Sequence, residues 1–230
     1  MKMILTIMFS ATIVSNGEAR ISQANPTRVA CLGDSITAGA RVDAKTESYP
    51  ARLQAILGDD WTVRNFGIGG ATLIKTGQPN VWATLDAVKK YQPDVVVISL
   101  GTNDTVSGNR KNWEQISRFD HDYSELITRL RQLASTPRIV VCTPTAMVLE
   151  TPGLSAVRVA GLRERKPRLQ TLCDRVRRLA EKHAGQNVSL LELNSILQRR
   201  PELLTTSDGV HPNANGYTAI AKAVAAHLHP

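Results

Sequence analysis

A chain of 230 residues, 42% hydrophobic and 21% charged, has room for one α/β domain with a sizeable core and little more. Aromatic residues make up only 4%, which argues against a wide aromatic-lined cleft or a base-stacking platform. The formal charge of +8 does not mark a nucleic-acid binder: much of it falls between residues 158 and 178, with Glu164 and Asp174 interspersed, as on a solvated helix face, and leaves at most an attraction for acidic glycans or surfaces.

In chain order, Lys2 precedes an uncharged apolar run over residues 3–14, and small residues follow near Ala19 and Ala24. This reads as a signal peptide over residues 1–19, cleaved possibly as late as 24, with one domain over 25–230. A run of about 12 residues is too short to span a bilayer easily, so export to the periplasm or beyond is expected, without stable membrane insertion. Five β-rich apolar runs follow, at residues 28–32, 61–66, 95–100, 138–142 and 188–191. The unbroken Val95-Val96-Val97-Ile98 is the pattern of a strand buried on both faces of a parallel sheet. Helical segments lie between and after them, at 49–57, 81–91, 119–133, 162–183 and 214–228. The alternation predicts a three-layer α/β/α sandwich around a parallel sheet, with right-handed crossovers.

Cys31 and Cys142 fall in strand-like runs, where a thiol behaves as a small buried hydrophobe. Three cysteines cannot all pair, and no CxxC or His/Cys cluster suggests a metal, so no metal or organic cofactor is expected.

Glycine-containing turns follow the first three strands, and in open parallel sheets sites collect outside the carboxyl ends of the strands. Ser35, Gly70 and Asn103 should therefore converge at one edge, within reach of the loop holding Asp208 and His211. A serine hydroxyl needs a base to take its proton, and a histidine oriented by a carboxylate supplies one. A tight Asp208-Gly209-Val210-His211 turn can fold the carboxylate back onto the imidazole. Asn103 can offer a side-chain N–H to a developing oxyanion, and Gly70 and Ser35 their backbone N–H groups.

These blocks resemble the SGNH (GDSL-type) hydrolases: Gly33-Asp34-Ser35-Ile36-Thr37, Asn65-Phe66-Gly67-Ile68-Gly69-Gly70-Ala71-Thr72, Gly101-Thr102-Asn103-Asp104 and Asp208-Gly209-Val210-His211-Pro212. The resemblance extends from about Arg28 to Leu228. It implies a flavodoxin-like fold with a central five-stranded parallel sheet and a serine esterase working through an acyl-enzyme. It further implies Ser35 as nucleophile, His211 as base, Asp208 as its orienter, and Ser35, Gly70 and Asn103 as the oxyanion hole.

Other chemistries fit less well. Thr72 stands where a dinucleotide turn needs its third glycine, Lys75-Thr76 follows Ile74 where a P-loop needs glycine, and GxSxG is absent. Leu73-Ile74-Lys75-Thr76-Gly77, Trp82, Phe119-Asp120-His121-Asp122-Tyr123 and Arg200-Pro201-Glu202-Leu203 resemble carbohydrate and sialate O-acetylesterase members. A small-molecule or glycan ester is the expected partner; a lysophospholipase or thioesterase acting on acyl lipids, and an inactive glycan-binding module, are the alternatives. Trp82 reads equally as a pocket wall that binds substrate and as core packing. Arg41 and Asp43 can rim the site, with a plain surface loop the simpler reading. Oligomeric state is not legible.

Overall fold

The computed structural model describes residues 25–108 and 112–229; the expected signal peptide lies outside them. Five parallel strands, β1 (Thr27–Gly33), β2 (Trp61–Gly67), β3 (Val95–Ser99), β4 (Arg138–Cys142) and β5 (Val188–Leu191), form one sheet in the order β2-β1-β3-β4-β5. This is the flavodoxin-like order, whose switch point lies between β1 and β3. Val29 of β1 stands opposite Val63 on one side and Val95 on the other. Every residue of β3 is buried, as its unbroken apolar run requires.

Alternate residues of the central strands feed two cores. Val29, Cys31, Val95, Val97, Val140 and Cys142 face one way, toward α2 (Tyr49–Leu57), α6 (Leu193–Leu197) and α7 (Ala214–Leu228). On α7, Ile220, Val224 and Leu228, four residues apart, are all buried there. Ala30, Leu32, Val96, Ile98, Ile139 and Val141 face the other way, toward α3 (Leu85–Tyr91), α4 (Phe119–Arg131) and α5 (Ala156–Lys182). No described helix is long and apolar enough to cross a membrane. All three cysteines are free and buried, and burial pushes the Cys31 and Cys173 thiols up to about 12 and raises Cys142 as well.

Some boundaries differ from the sequence reading. The segment 81–91 is two elements, a 3-10 turn at Val81–Thr84 capped by Asn80 and then α3. Helix α5 begins six residues before the expected Leu162, capped by the Ser155 hydroxyl, and continues through Pro167. Its first turns carry no apolar periodicity, since Val157 is 84% exposed, so hydrophobic pattern alone could not find them. The five residues of α6 are too few to show a period.

Candidate active site

Strand β1 ends at Gly33, and Asp34 caps a single helical turn, α1 (Ser35–Ala38), by accepting the Ile36 N–H at 2.9 Å. Ser35 is thus held at the carboxyl edge of the sheet, half-buried. Strand β2 comes so close to this turn that a Cβ on Gly67 would collide with the Ala38 nitrogen and lie 2.7 Å from the Thr37 carbonyl carbon. The Asn65 side chain ties the two together, donating to the Thr37 carbonyl at 2.8 Å and accepting the Gly67 N–H at 2.8 Å.

Ser35 Oγ lies 2.9 Å from His211 Nε2, across 176 residues of sequence. His211 Nδ1 lies 3.0 Å from both oxygens of Asp208. With Nδ1 carrying the proton toward that carboxylate, Nε2 is left as an acceptor for the serine hydroxyl. The carboxylate comes back because its turn is tight: Asp208 Oδ1 also accepts the Val210 N–H at 3.0 Å and the His211 N–H at 2.9 Å, and Gly209 adopts φ 71°. Burial pushes the Asp208 carboxyl up, but the bonds from the His211 ring and backbone and from Val210 outweigh it and hold it well below the ordinary carboxylate value.

Asn103 follows β3 in a short 3-10 turn (Asn103–Thr105). Its Nδ2 donates to the Ala71 carbonyl at 3.0 Å, next to Gly70, which turns at φ 75°. An amide nitrogen carries two hydrogens, so one fixes the side chain while the second stays available. Asp104, fully buried, accepts the Leu73 and Ile74 N–H groups at 3.0 and 2.9 Å and staples the segment after Gly70 to the segment after β3. Burial pushes the Asp34 carboxyl up to about 6, against the Ile36 N–H, His211, Thr102 and Arg165, which favour the anion. Burial does the same to Asp104, also up to about 6, and the nearby Asp34 charge adds to it.

Ser35, His211 and Asp208 are in direct contact, and Asn103 and Gly70 are linked through Ala71. Trp82 is not drawn into this group. Its indole N–H donates to the Leu73 carbonyl at 2.7 Å, and Lys75 and Arg129 lie over its ring at 4.3 and 5.5 Å, so it sits partly buried against the core beside α4. Arg41, exposed on its loop and at φ 73°, also rims the site, its Nε lying 3.3 Å from Asp208 Oδ2. Arg158, which the sequence reading assigned to a solvated face, donates from Nε to the Asp208 carbonyl at 2.8 Å. Their signal was faint, since an arginine distant in sequence announces no partner.

His121, Asp122 and Glu125 on α4 place potential metal-ligand atoms within 4.8 Å of one another, a grouping not anticipated from the sequence. Its carboxylates are already engaged, Asp122 by the Lys75 N–H at 3.0 Å and Glu125 by Lys75 and Arg129.

Over 221 residues the chain is 31% identical to an acetylxylan esterase of Xylanibacter ruminicola, covering 86% of this chain and 42% of that protein. Over 139 residues it is 27% identical to a multidomain esterase of Ruminococcus flavefaciens, covering 60% of this chain and 16% of that one. The chain therefore spans less than half the length of either relative. Among solved structures, a carbohydrate acetylesterase family member from Sinorhizobium meliloti superposes with a TM-score of 0.69 at 20% identity, over 88% of this chain and 97% of that one, which shows a shared fold. Residues 31–219, containing all four sequence blocks, match the GDSL-like lipase/acylhydrolase family, and the chain belongs to it.

Proposed function

We propose that the protein is a serine esterase that removes short acyl groups, above all O-acetyl groups, from a carbohydrate. The observation that carries this reading is the hydrogen-bonded run from Ser35 through His211 to Asp208, with gaps of 2.9 and 3.0 Å. Ser35 Oγ attacks the ester carbonyl carbon while its proton passes to His211 Nε2. Asp208 stays ionised and stabilises the imidazolium. The oxyanion receives the free hydrogen of Asn103 Nδ2 and the N–H groups of Gly70 and Ser35, each such donor lowering the barrier by about 2.7–4 kcal/mol. As the tetrahedral intermediate collapses, His211 gives its proton to the departing sugar oxygen and the acyl group stays on Ser35. Water, deprotonated by the same His211, then releases the acid and restores the serine. None of these steps requires a metal or organic cofactor.

Two features support a carbohydrate ester over a lipid. The acetylxylan esterase relative is 31% identical over most of this chain. The described residues show only Ile56 and Val157 as exposed large hydrophobics, too little for a long acyl groove. Export, expected from residues 1–24, would bring such an enzyme to extracellular glycans; amino-terminal sequencing of the mature protein tests that part. The function itself is tested by rates on p-nitrophenyl esters of increasing chain length, beside acetate release from acetylated xylan and acetylated sialic acid. Acetate release with steep preference for acetyl is the expected result. Preference for long chains would replace it with a lysophospholipase or thioesterase, and glycan binding without turnover with an inactive binding module.

A further inference from the structure

Three arginines of α5 are turned toward the site. Arg158 bonds the Asp208 carbonyl, and its Nη2 lies 3.4 Å from Asp208 Oδ1. Seven residues on, Arg165 donates from Nε to Thr105 Oγ1 at 2.9 Å and from Nη2 to the Thr102 carbonyl at 2.8 Å. Arg168 donates from Nη1 to the Thr105 carbonyl at 3.0 Å and to Ser107 Oγ at 3.1 Å, while Glu164 holds its Nη2 at 2.7 Å. Steps of seven and then three residues put all three arginines on one face of the helix. Beside them, Leu162 and Leu169 pack with Val210 of the histidine turn and with Met147. One helix therefore grips both the turn that carries His211 and the loop that carries Asn103.

The acceptors on the second loop bracket Asn103, Thr102 just before it and Thr105 two residues after. A guanidinium presents its donors in one rigid plane, so Arg165 fixes two acceptors in a set relation that a lysine's point charge cannot reproduce. Asn103 itself is anchored by Nδ2 on Ala71 and by a backbone carbonyl that accepts Asn112 Nδ2 and the Val106 N–H, both at 3.1 Å, and these bonds hold only as well as the Thr102–Thr105 turn itself is held. An oxyanion donor works only when it is already in place as charge develops.

We infer that Arg165 is a positioning residue for the Asn103 amide, and that α5 thereby keeps the oxyanion loop in register with the His211 turn. This rests on the esterase reading above, with Asn103 as an oxyanion donor. The test is a double-mutant cycle on p-nitrophenyl acetate with wild type, Arg165→Met, Asn103→Ala and the double variant, with the melting temperature of each. Arg165→Met should lower kcat ~10-fold and leave KM within about twofold, and in the Asn103→Ala background it should change kcat by less than about twofold. Equal factors in the two backgrounds, or an unchanged kcat in Arg165→Met, would overturn the inference. If Arg165→Met does not fold, Arg165→Lys keeps the charge but not the planar fork, and the same cycle is run with it. A folded wild type that hydrolyses no ester defeats the esterase reading and this inference together; an active wild type with an additive cycle defeats this inference alone.

Discussion

Ser35, His211 and Asp208 are the residues on which the proposed chemistry is most exposed to test. Ser35→Ala removes the attacking oxygen from a half-buried surface position and should abolish hydrolysis without disturbing the melting temperature. A purified variant keeping a tenth or more of wild-type kcat would remove Ser35 as nucleophile. Asn103→Ala should lower kcat ~100- to 1000-fold with little change in KM, because in the proposed mechanism its second amide hydrogen serves charge that exists only in the transition state. A raised KM with normal kcat would make Asn103 a substrate-binding residue. The contacts among these residues were legible in the sequence because the decisive one is local, Asp208 lying three residues before His211 with Gly209 between. Arg41 was not, because its partner lies far along the chain and its own surroundings read as an ordinary loop. Asp34 gives a different kind of expectation. Burial raises its carboxyl from 3.8 to about 6, so the folded chain keeps a proton that the unfolded chain releases. Its contribution to stability is complete below the unfolded value and falls as pH rises through about 6, by at most about 3 kcal/mol. Asp104 acts in the same sense. Asp208, shifted downward, acts in the opposite sense, losing its contribution only as pH falls below the usual carboxylate range. Asp34→Asn keeps the acceptor for Ile36 and should flatten the decline in melting temperature between about pH 4 and 7; an unchanged slope would count against a raised Asp34.

Among the elements, the strands were the easiest to read and the first turns of α5 the hardest, for one physical reason. A strand covered on both faces must be apolar throughout, as Val95–Ser99 nearly is, whereas a helix end held by arginine hydrogen bonds shows no hydrophobic period. The same bias made the arginines of α5 look solvated when several of them bind backbone carbonyls. The contact of β2 with α1 leads to a further prediction. Gly67→Ala forces a methyl group against the backbone of Thr37 and Ala38, so the turn carrying Ser35 must move. Overpacking of this kind costs about 1–3 kcal/mol. The variant should melt earlier and lose kcat, since a displacement of an ångström at a nucleophile is severe. Wild-type kcat in the folded variant would show that α1 accommodates the methyl group freely.

At the scale of the whole molecule, the switch point of the sheet explains why residues 35, 70 and 103 meet at one edge; alternation predicted the parallel sheet and its layers, while the flavodoxin-like order was implied only by the family resemblance. Substrate choice belongs to this scale too. Activity should fall from acetate to butyrate and nearly vanish by octanoate, where a small pocket forfeits about 0.8 kcal/mol of transfer energy for each methylene it cannot bury. Octanoate turned over as well as acetate would point to a lipid ester. Exhaustive dialysis against EDTA should leave the rate unchanged; a loss restored by zinc would turn attention to His121, Asp122 and Glu125. The three buried thiols, finally, amount to a set of internal clocks. Cys31 lies in β1, Cys142 in β4 and Cys173 in α5, all shielded and all held in the unreactive protonated form. An alkylating reagent can mark each of them only when its own part of the chain opens, so labelling of Cys173 ahead of the two strand thiols would time the lifting of α5 from the sheet separately from global unfolding.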